Sequence, residues 1–153
     1  MENTYGSIIK DILLKVTFRY VNLLPHGLEP DKGRATQTLQ TKILSHGPAR
    51  TLYVNRRPTC RSLDAVAPME RPGKTCAACD DRLRCTPQIH IEFLADGAPC
   101  RLLLAFTSAR NFLVYANQVR ADGAALDKVQ TRMRVINRGN WGELRFETEN
   151  KPI

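Results

Sequence analysis

Four cysteines between residues 60 and 85 constrain the fold of this chain more than any other feature. Cys60, Cys76, Cys79 and Cys85 follow the spacing C-x15-C-x2-C-x5-C, and the Cys76-Ala-Ala-Cys79 turn can point two sulfurs at one ion. The intervals between them hold mostly prolines, glycine and charged residues, which cannot build a hydrophobic core. Four thiolates in a tetrahedron are the usual ligands of structural zinc. The spacing therefore predicts a structural zinc site that orders about 25 residues.

Other chemistry for these cysteines is less favoured or stays open. No signal peptide is recognisable ahead of residue 60, and a reducing compartment disfavours disulfides. A redox Cys-x-x-Cys motif would lie between a strand and a helix, whereas this one lies in a polar loop. An iron–sulfur cluster uses the same ligands, and the spacing does not exclude it. Cys100 lies outside the cluster and is expected to be a buried free thiol.

Length and charge indicate the class of partner. The 153 residues suit one domain with a modest core, and no apolar run reaches the roughly 18 residues of a membrane span. We therefore expect a soluble protein. The formal net charge is +8 at pH 7, and zinc bound by four thiolates would lower it to about +6. This excess favours a polyanionic partner, nucleic acid ahead of an anionic membrane.

The order of apolar patterns predicts a mainly β fold. Residues 1–34 are expected to form an N-terminal strand or helix followed by a loop, with a strand centred on 13–21. The rest of the pattern predicts strands at 36–45, 50–55, 88–95, 101–107, 127–137 and 141–148, and a helix at 109–120. A helix between the third and fourth strands is common in OB-folds. We therefore predict one domain over 1–153, a five-stranded OB-like Greek-key barrel with the zinc module, 56–87, inserted between strands one and two.

Part of the sequence resembles a known group of proteins. The segments Cys60–Asp64 and Pro72–Cys79, then Cys85, then an apolar strand ending at Thr107-Ser108, are similar to phage and mobile-element proteins in which a four-cysteine module interrupts a small β-barrel. The plan also resembles the zinc-bearing OB domains of the T-even phage single-stranded-DNA-binding protein and of the replication protein A large subunit. The resemblance implies single-stranded nucleic-acid binding in replication or recombination. We predict non-sequence-specific binding of single-stranded DNA for a phage or mobile element, in the cytoplasm of a bacterial or phage-infected cell. No histidine matches the T-even ligand.

Binding of single strands requires cations for phosphates and aromatic faces for bases. The candidates near the cysteines are Tyr53, Arg56, Arg57, Arg61, Lys74, Arg82 and Arg84. Those on the last two strands are Arg132, Arg134, Arg138 and Trp141. An adaptor that docks replication or recombination proteins, and an RNA-binding protein, are the alternative functions. We expect no enzyme, because Cys100 with His90 is the one nucleophile–base pair that can be drawn and nothing orients it.

Overall fold

The computed structural model describes residues 18–31 and 33–149. Within these ranges the chain forms ten strands and one α-helix. Their bounds are β1 (Arg19–Tyr20), β2 (Asn22–Leu24), β3 (Gly27–Asp31), β4 (Arg34–Thr36), β5 (Thr38–Val54), β6 (Arg57–Ser62), β7 (Thr86–Ala95), β8 (Ala98–Ala105), α1 (Phe106–Ala121), β9 (Thr131–Asn137) and β10 (Gly142–Thr148). Short 3₁₀ turns lie at Arg82–Arg84 and Leu126–Lys128.

The long strand β5 is the centre of the main sheet. It pairs with β9 near its N-terminal end, with β7 along most of its length and with β6 at its C-terminal end. The sheet continues from β7 to β8 and β1 on one side and from β9 to β10 on the other. All these pairs are antiparallel except β1 with β8. Strands β2, β3 and β4 form a separate three-stranded sheet.

The core lies between one face of the main sheet and α1. Alternation along β7 and β8 buries Ile91, Phe93, Leu102 and Leu104, because successive strand side chains point to opposite faces. Helix α1 contributes Phe112, Tyr115 and Val119, which are spaced by three and four residues. Strands β9 and β10 complete the cluster with Met133, Val135 and Leu144. Burying each large apolar side chain contributes about 1.5–3 kcal/mol, so this face accounts for most of the hydrophobic stabilisation.

The mainly β composition with one helix agrees with the sequence, but the predicted five-stranded OB-like barrel is wrong. The described residues form a seven-stranded and a three-stranded sheet, and the larger sheet stays open. The outer edge of β8 pairs with β1, through Arg19 and Tyr20, and not with β10. Alternation predicts which residues form strands, but closure depends on which distant edges meet, and that information is absent from local patterns.

The two strands predicted at 36–45 and 50–55 are one strand, β5. His46-Gly47-Pro48 was expected to form a turn, yet these residues pair with β7. A register shift between Ile43 and Ser45 bends the strand there. Pro48 lies in the interval of β5 where β7 is the one neighbouring strand, so its missing N–H is tolerated as it is on an edge strand.

The predicted helix and the four strands around it are confirmed, whereas the loop expected before residue 34 is wrong, since strands β2, β3 and β4 form a sheet there. The helix expected at 109–120 lies inside α1, and the strands expected on either side of it form β7, β8, β9 and β10 with shifts of a few residues at their ends. The strand centred on 13–21 lies mostly outside the described residues, which include its last part as β1. In the described part of the chain, no helix has the length and apolar character needed to cross a membrane.

Candidate metal centre and nucleic-acid interface

A tight hairpin places the first cysteine. Val54 pairs with Arg57, so β5 and β6 are joined by the two residues Asn55 and Arg56. Both have positive φ, 53° and 63°, as a type I′ turn requires. On the way back along β6, Cys60 pairs with Leu52. The hairpin therefore fixes the position of Cys60 at its base and exposes the turn at its tip.

The loop after β6 is folded by polar contacts and not by a core. The Asp64 carboxylate accepts hydrogen bonds from the Ser62 hydroxyl at 2.9 Å and from the backbone N–H groups of Val66 and Ala67 at 2.8 and 2.9 Å. These bonds lower the pKa of Asp64, the one from Ala67 most. The Cys76 N–H then donates to the Val66 carbonyl at 2.8 Å. The second cysteine is thereby tied to the loop that begins at the first.

The fold brings all four predicted ligands to one small cavity. Cys60, Cys76, Cys79 and Cys85 line a space of about 20 Å³ beneath Leu52. A space of that size holds about one atom. Cys76 is buried, the other three are half-buried, and all four are free thiols. Four cysteines that line one small cavity supply the sulfur donors that zinc prefers.

The sulfurs do not yet form a coordination sphere. In residues 18–31 and 33–149, no group of three or more His, Cys, Asp or Glu side chains is arranged so that it could hold a metal ion. The Cys85 thiol donates to the Asp81 carbonyl at 3.4 Å, and Cys79 accepts from Arg71 at 2.9 Å. Burial raises the pKa of the Cys60 and Cys85 thiols. Binding would therefore require the thiols to lose protons and turn toward a common point.

The cations predicted near the cysteines divide into paired and unpaired groups. Arg61 lies 3.6 Å from Glu70, and Arg84 lies 3.0 Å from Asp81. A second set is exposed and forms no ion pair with any described residue, namely Arg56, Arg57, Lys74 and Arg82. Arg56 and Arg57 lie at the hairpin tip, three and four positions after Tyr53, which is 43% exposed. The hairpin therefore carries one exposed aromatic residue and two exposed arginines that form no ion pair with any described residue.

The arginines of the β9–β10 hairpin are mostly bound to carboxylates. Arg132 lies 3.6 Å from Glu147 and 3.5 Å from Glu149. Arg138 pairs with Glu143 at 3.1 Å. Arg132 and Arg134 lie on the strand face opposite the buried Met133 and Val135. Trp141 is 45% exposed, and Arg132, Arg138 and Arg145 of this hairpin all pair with carboxylates.

An arginine–aromatic ladder was missed by the sequence analysis. The Arg101 guanidinium lies 5.1 Å from the ring centre of Phe18 and 5.3 Å from that of Tyr20. Arg61 lies 5.8 Å from the same Tyr20 ring. Such contacts stabilise cations over aromatic faces, so this ladder joins β6 to the β1 edge of the sheet. No sequence signal could reveal it, because its members are distant in the chain.

Comparison of the chain with protein-family models, with curated proteins and with solved structures finds no match. The resemblance to phage and mobile-element zinc proteins therefore stays a prediction.

Proposed function

We propose that this protein is a zinc-stabilised domain that binds single-stranded DNA with little sequence preference, in replication or recombination. The observation that carries the proposal is the β5–β6 hairpin. Its base lies on the cavity lined by four cysteines, and its outer end carries the exposed Tyr53, Arg56 and Arg57, the two arginines forming no ion pair with any described residue. The set resembles what single-strand binders need, namely backbone-tracking cations beside a stacking platform. No catalytic role is proposed.

Zinc would have a structural role and would take no part in a reaction. Cys60, Cys76, Cys79 and Cys85 would hold it, and four thiolates leave no open position for water. The bound ion would supply the cross-link that the polar loop lacks. Leu52 and Cys60 form the floor of the site, and the adjacent Tyr53 begins the exposed tip. Ordering the loop would therefore fix the tip as well.

The tip suits unpaired bases better than a duplex. Arginine forks onto phosphates and stacks on bases, and Tyr53 offers a ring face to a base. Its hydroxyl accepts a hydrogen bond from Gln88 at 3.3 Å, which limits the motion of the ring. In a duplex the base faces are already stacked on each other. A single strand thus gains a contact that a duplex cannot make.

The test is a titration of a fluorescent single-stranded oligonucleotide at several salt concentrations, with the same sequence as duplex and as RNA for competition. We expect tighter binding to the single strand than to the duplex. With three or four phosphates neutralised, the slope of log affinity against log salt should be about −2 to −3. Tighter duplex binding would contradict the proposal, and preference for RNA would show that the 2′-hydroxyl is recognised.

One observation favours the adaptor function as a second candidate. Three apolar side chains of the cysteine loop are exposed, Val66 at 61%, Met69 at 51% and Leu83 at 89%. Exposed apolar side chains mark protein interfaces when they form a contiguous patch, and these three lie in one loop. No nucleic-acid binding by the zinc-loaded protein, together with partner capture that is lost in Leu83→Ser, would favour the adaptor. DNA binding that Leu83→Ser leaves unchanged would count against it.

A further inference from the structure

Arg71 makes two directed contacts at the edge of the cysteine cavity. Its Nη1 donates to the Cys79 sulfur at 2.9 Å, and its Nη2 donates to the Asp81 carboxylate at 2.9 Å. Arg71 and Asp81 both line the cavity that the four cysteines share. The guanidinium thus joins one predicted ligand to a carboxylate from the same loop.

We infer that Arg71, held by Asp81, is a positioning residue that retains zinc in the proposed centre. The inference rests on the proposed zinc site and adds the group that holds one of its ligands in place. Partners that hydrogen-bond to metal ligands orient them and commonly change metal affinity by 10- to 100-fold. Arg71 would act through Cys79 and would not bind the metal.

The charge of the site gives the physical reason. Four thiolates and one zinc ion leave two negative charges, and sulfur atoms in a small cavity are poorly solvated. A guanidinium stays protonated and offers several N–H groups in a fixed plane. One N–H can therefore stabilise the thiolate of Cys79 while another remains on Asp81. Lysine has the same charge but lacks this planar fork.

The chain contains a matched control. Arg84 also pairs with Asp81, at 3.0 Å, through the other carboxylate oxygen. Its side chain is 66% exposed, against 35% for Arg71, and none of its hydrogen bonds reaches a sulfur. If Arg71 acted merely as a charge or an ion pair with Asp81, Arg84→Ala and Arg71→Ala would have the same effect. The sulfur contact separates the two arginines.

The experiment measures zinc transfer from the purified full chain to a colorimetric chelator, with zinc content determined beforehand. We expect Arg71→Ala to speed release by about 10-fold or more, and Asp81→Asn to speed it less, because Arg71 loses its anchor but keeps its charge. Arg71→Lys should restore part of the retention. Arg84→Ala should release zinc at nearly the parent rate. Timed alkylation with mass spectrometry should show Cys79 losing protection first in Arg71→Ala.

The outcomes separate the inference from the proposal on which it rests. A parent protein without zinc would overturn the zinc centre and this inference together. A zinc-loaded parent whose release rate is the same in Arg71→Ala, or a variant Arg84→Ala that loses zinc equally fast, would overturn the inference alone. If Arg71→Ala does not fold, the zinc release rates of Asp81→Asn and Arg71→Lys test the inference instead. Parent-like release in both variants would contradict the role of Arg71.

Discussion

Glu143 and Arg145 form a 2.8 Å ion pair on β10, through the Arg145 Nε and one carboxylate oxygen of Glu143. The other oxygen of Glu143 accepts from Arg138 at 3.1 Å. One nearly buried carboxylate therefore occupies two arginines of the β9–β10 hairpin. This pairing is why the unpaired arginines of the β5–β6 tip, and not those of the last two strands, are the stronger candidates for phosphate contacts.

Glu143→Gln should destabilise the protein at neutral pH. The pKa of Glu143 is held below its usual value of 4.5, first by the hydrogen bond from Arg145 and then by those from Arg138 and Asn111. A lowered pKa in the folded state means that the charge stabilises the fold above the usual pKa and that this stabilisation is lost as the pH falls through the folded value. We expect a loss of about 1 kcal/mol at pH 7.

Thermal melts of the parent and Glu143→Gln across the acidic range check this. The difference in melting temperature should shrink as the pH falls from 4.5 through the lower pKa of the folded state, because the Glu143 carboxylate is protonated first in the unfolded and then in the folded parent. Glu147→Gln is the matched control, since Glu147 forms a single more exposed pair with Arg132. A difference that is independent of pH would show that the charge of Glu143 contributes nothing.

Removing the charges at the hairpin tip should flatten the salt dependence of DNA binding. In the double variant Arg56→Asn with Arg57→Gln, asparagine tolerates the positive φ of residue 56, so the turn is kept. Each lost phosphate contact on a single strand should reduce the magnitude of the slope by about 0.7. The measurement is the single-strand titration repeated at several salt concentrations.

The control for that variant removes the same formal charge elsewhere. Arg132→Gln with Arg138→Gln takes away two arginines that are already paired with carboxylates. We expect its slope to remain close to that of the parent. Equal flattening by both double variants would mean that net charge, and not the hairpin tip, governs binding.

Tyr53→Ala should weaken single-strand binding without changing the salt slope. Loss of one base stack costs roughly 1–3 kcal/mol, which corresponds to about five- to a hundredfold in affinity. Tyr53→Phe keeps the ring and should bind almost as the parent does. Trp141→Ala is the comparison at the β9–β10 hairpin, because Trp141 is about as exposed as Tyr53 but Arg138 of that hairpin is paired with Glu143. A larger loss for Trp141→Ala than for Tyr53→Ala would move the interface to β9–β10.

Cys79→Ser should lower the zinc content and the melting temperature, whereas Cys100→Ser should not alter the zinc content. Cys79 lines the shared cavity, while Cys100 is buried in the main core away from it. Metal analysis by mass spectrometry and a thermal melt of each variant make the comparison. Full zinc occupancy in Cys79→Ser would remove that residue from the ligand set, and a brown protein with visible absorption would indicate an iron–sulfur cluster.

Local sequence patterns predicted most strands and the helix, but they did not predict which edge strands of the sheet pair with each other. Alternation in β7 and β8 and the helical spacing of Phe112, Tyr115 and Val119 were readable, because each depends on neighbours a few residues apart. The β1–β8 pairing depends on residues about eighty positions apart, which no local period encodes.

The same distinction between local patterns and contacts of distant residues applies to the candidate metal centre and nucleic-acid interface. The cysteine spacing predicted that the four cysteines lie close together, and all four line one cavity, while their binding of zinc stays a prediction. Whether an arginine is available to a phosphate depends on which carboxylate the fold brings beside it. Arg57 and Arg138 look alike in the sequence, yet Arg138 is bound to Glu143 and Arg57 forms no ion pair in the described part of the chain. The contact of Arg71 with the Cys79 sulfur could not be predicted for the same reason.

The most direct test of the central claim is single-strand binding measured by fluorescence anisotropy on zinc-loaded, zinc-stripped and zinc-restored protein. We expect the loaded protein to bind, the stripped protein to lose most of its affinity because the base of the β5–β6 hairpin is no longer held, and zinc to restore it. Equal binding by loaded and stripped protein, or no binding by protein that carries one zinc per chain, would contradict it.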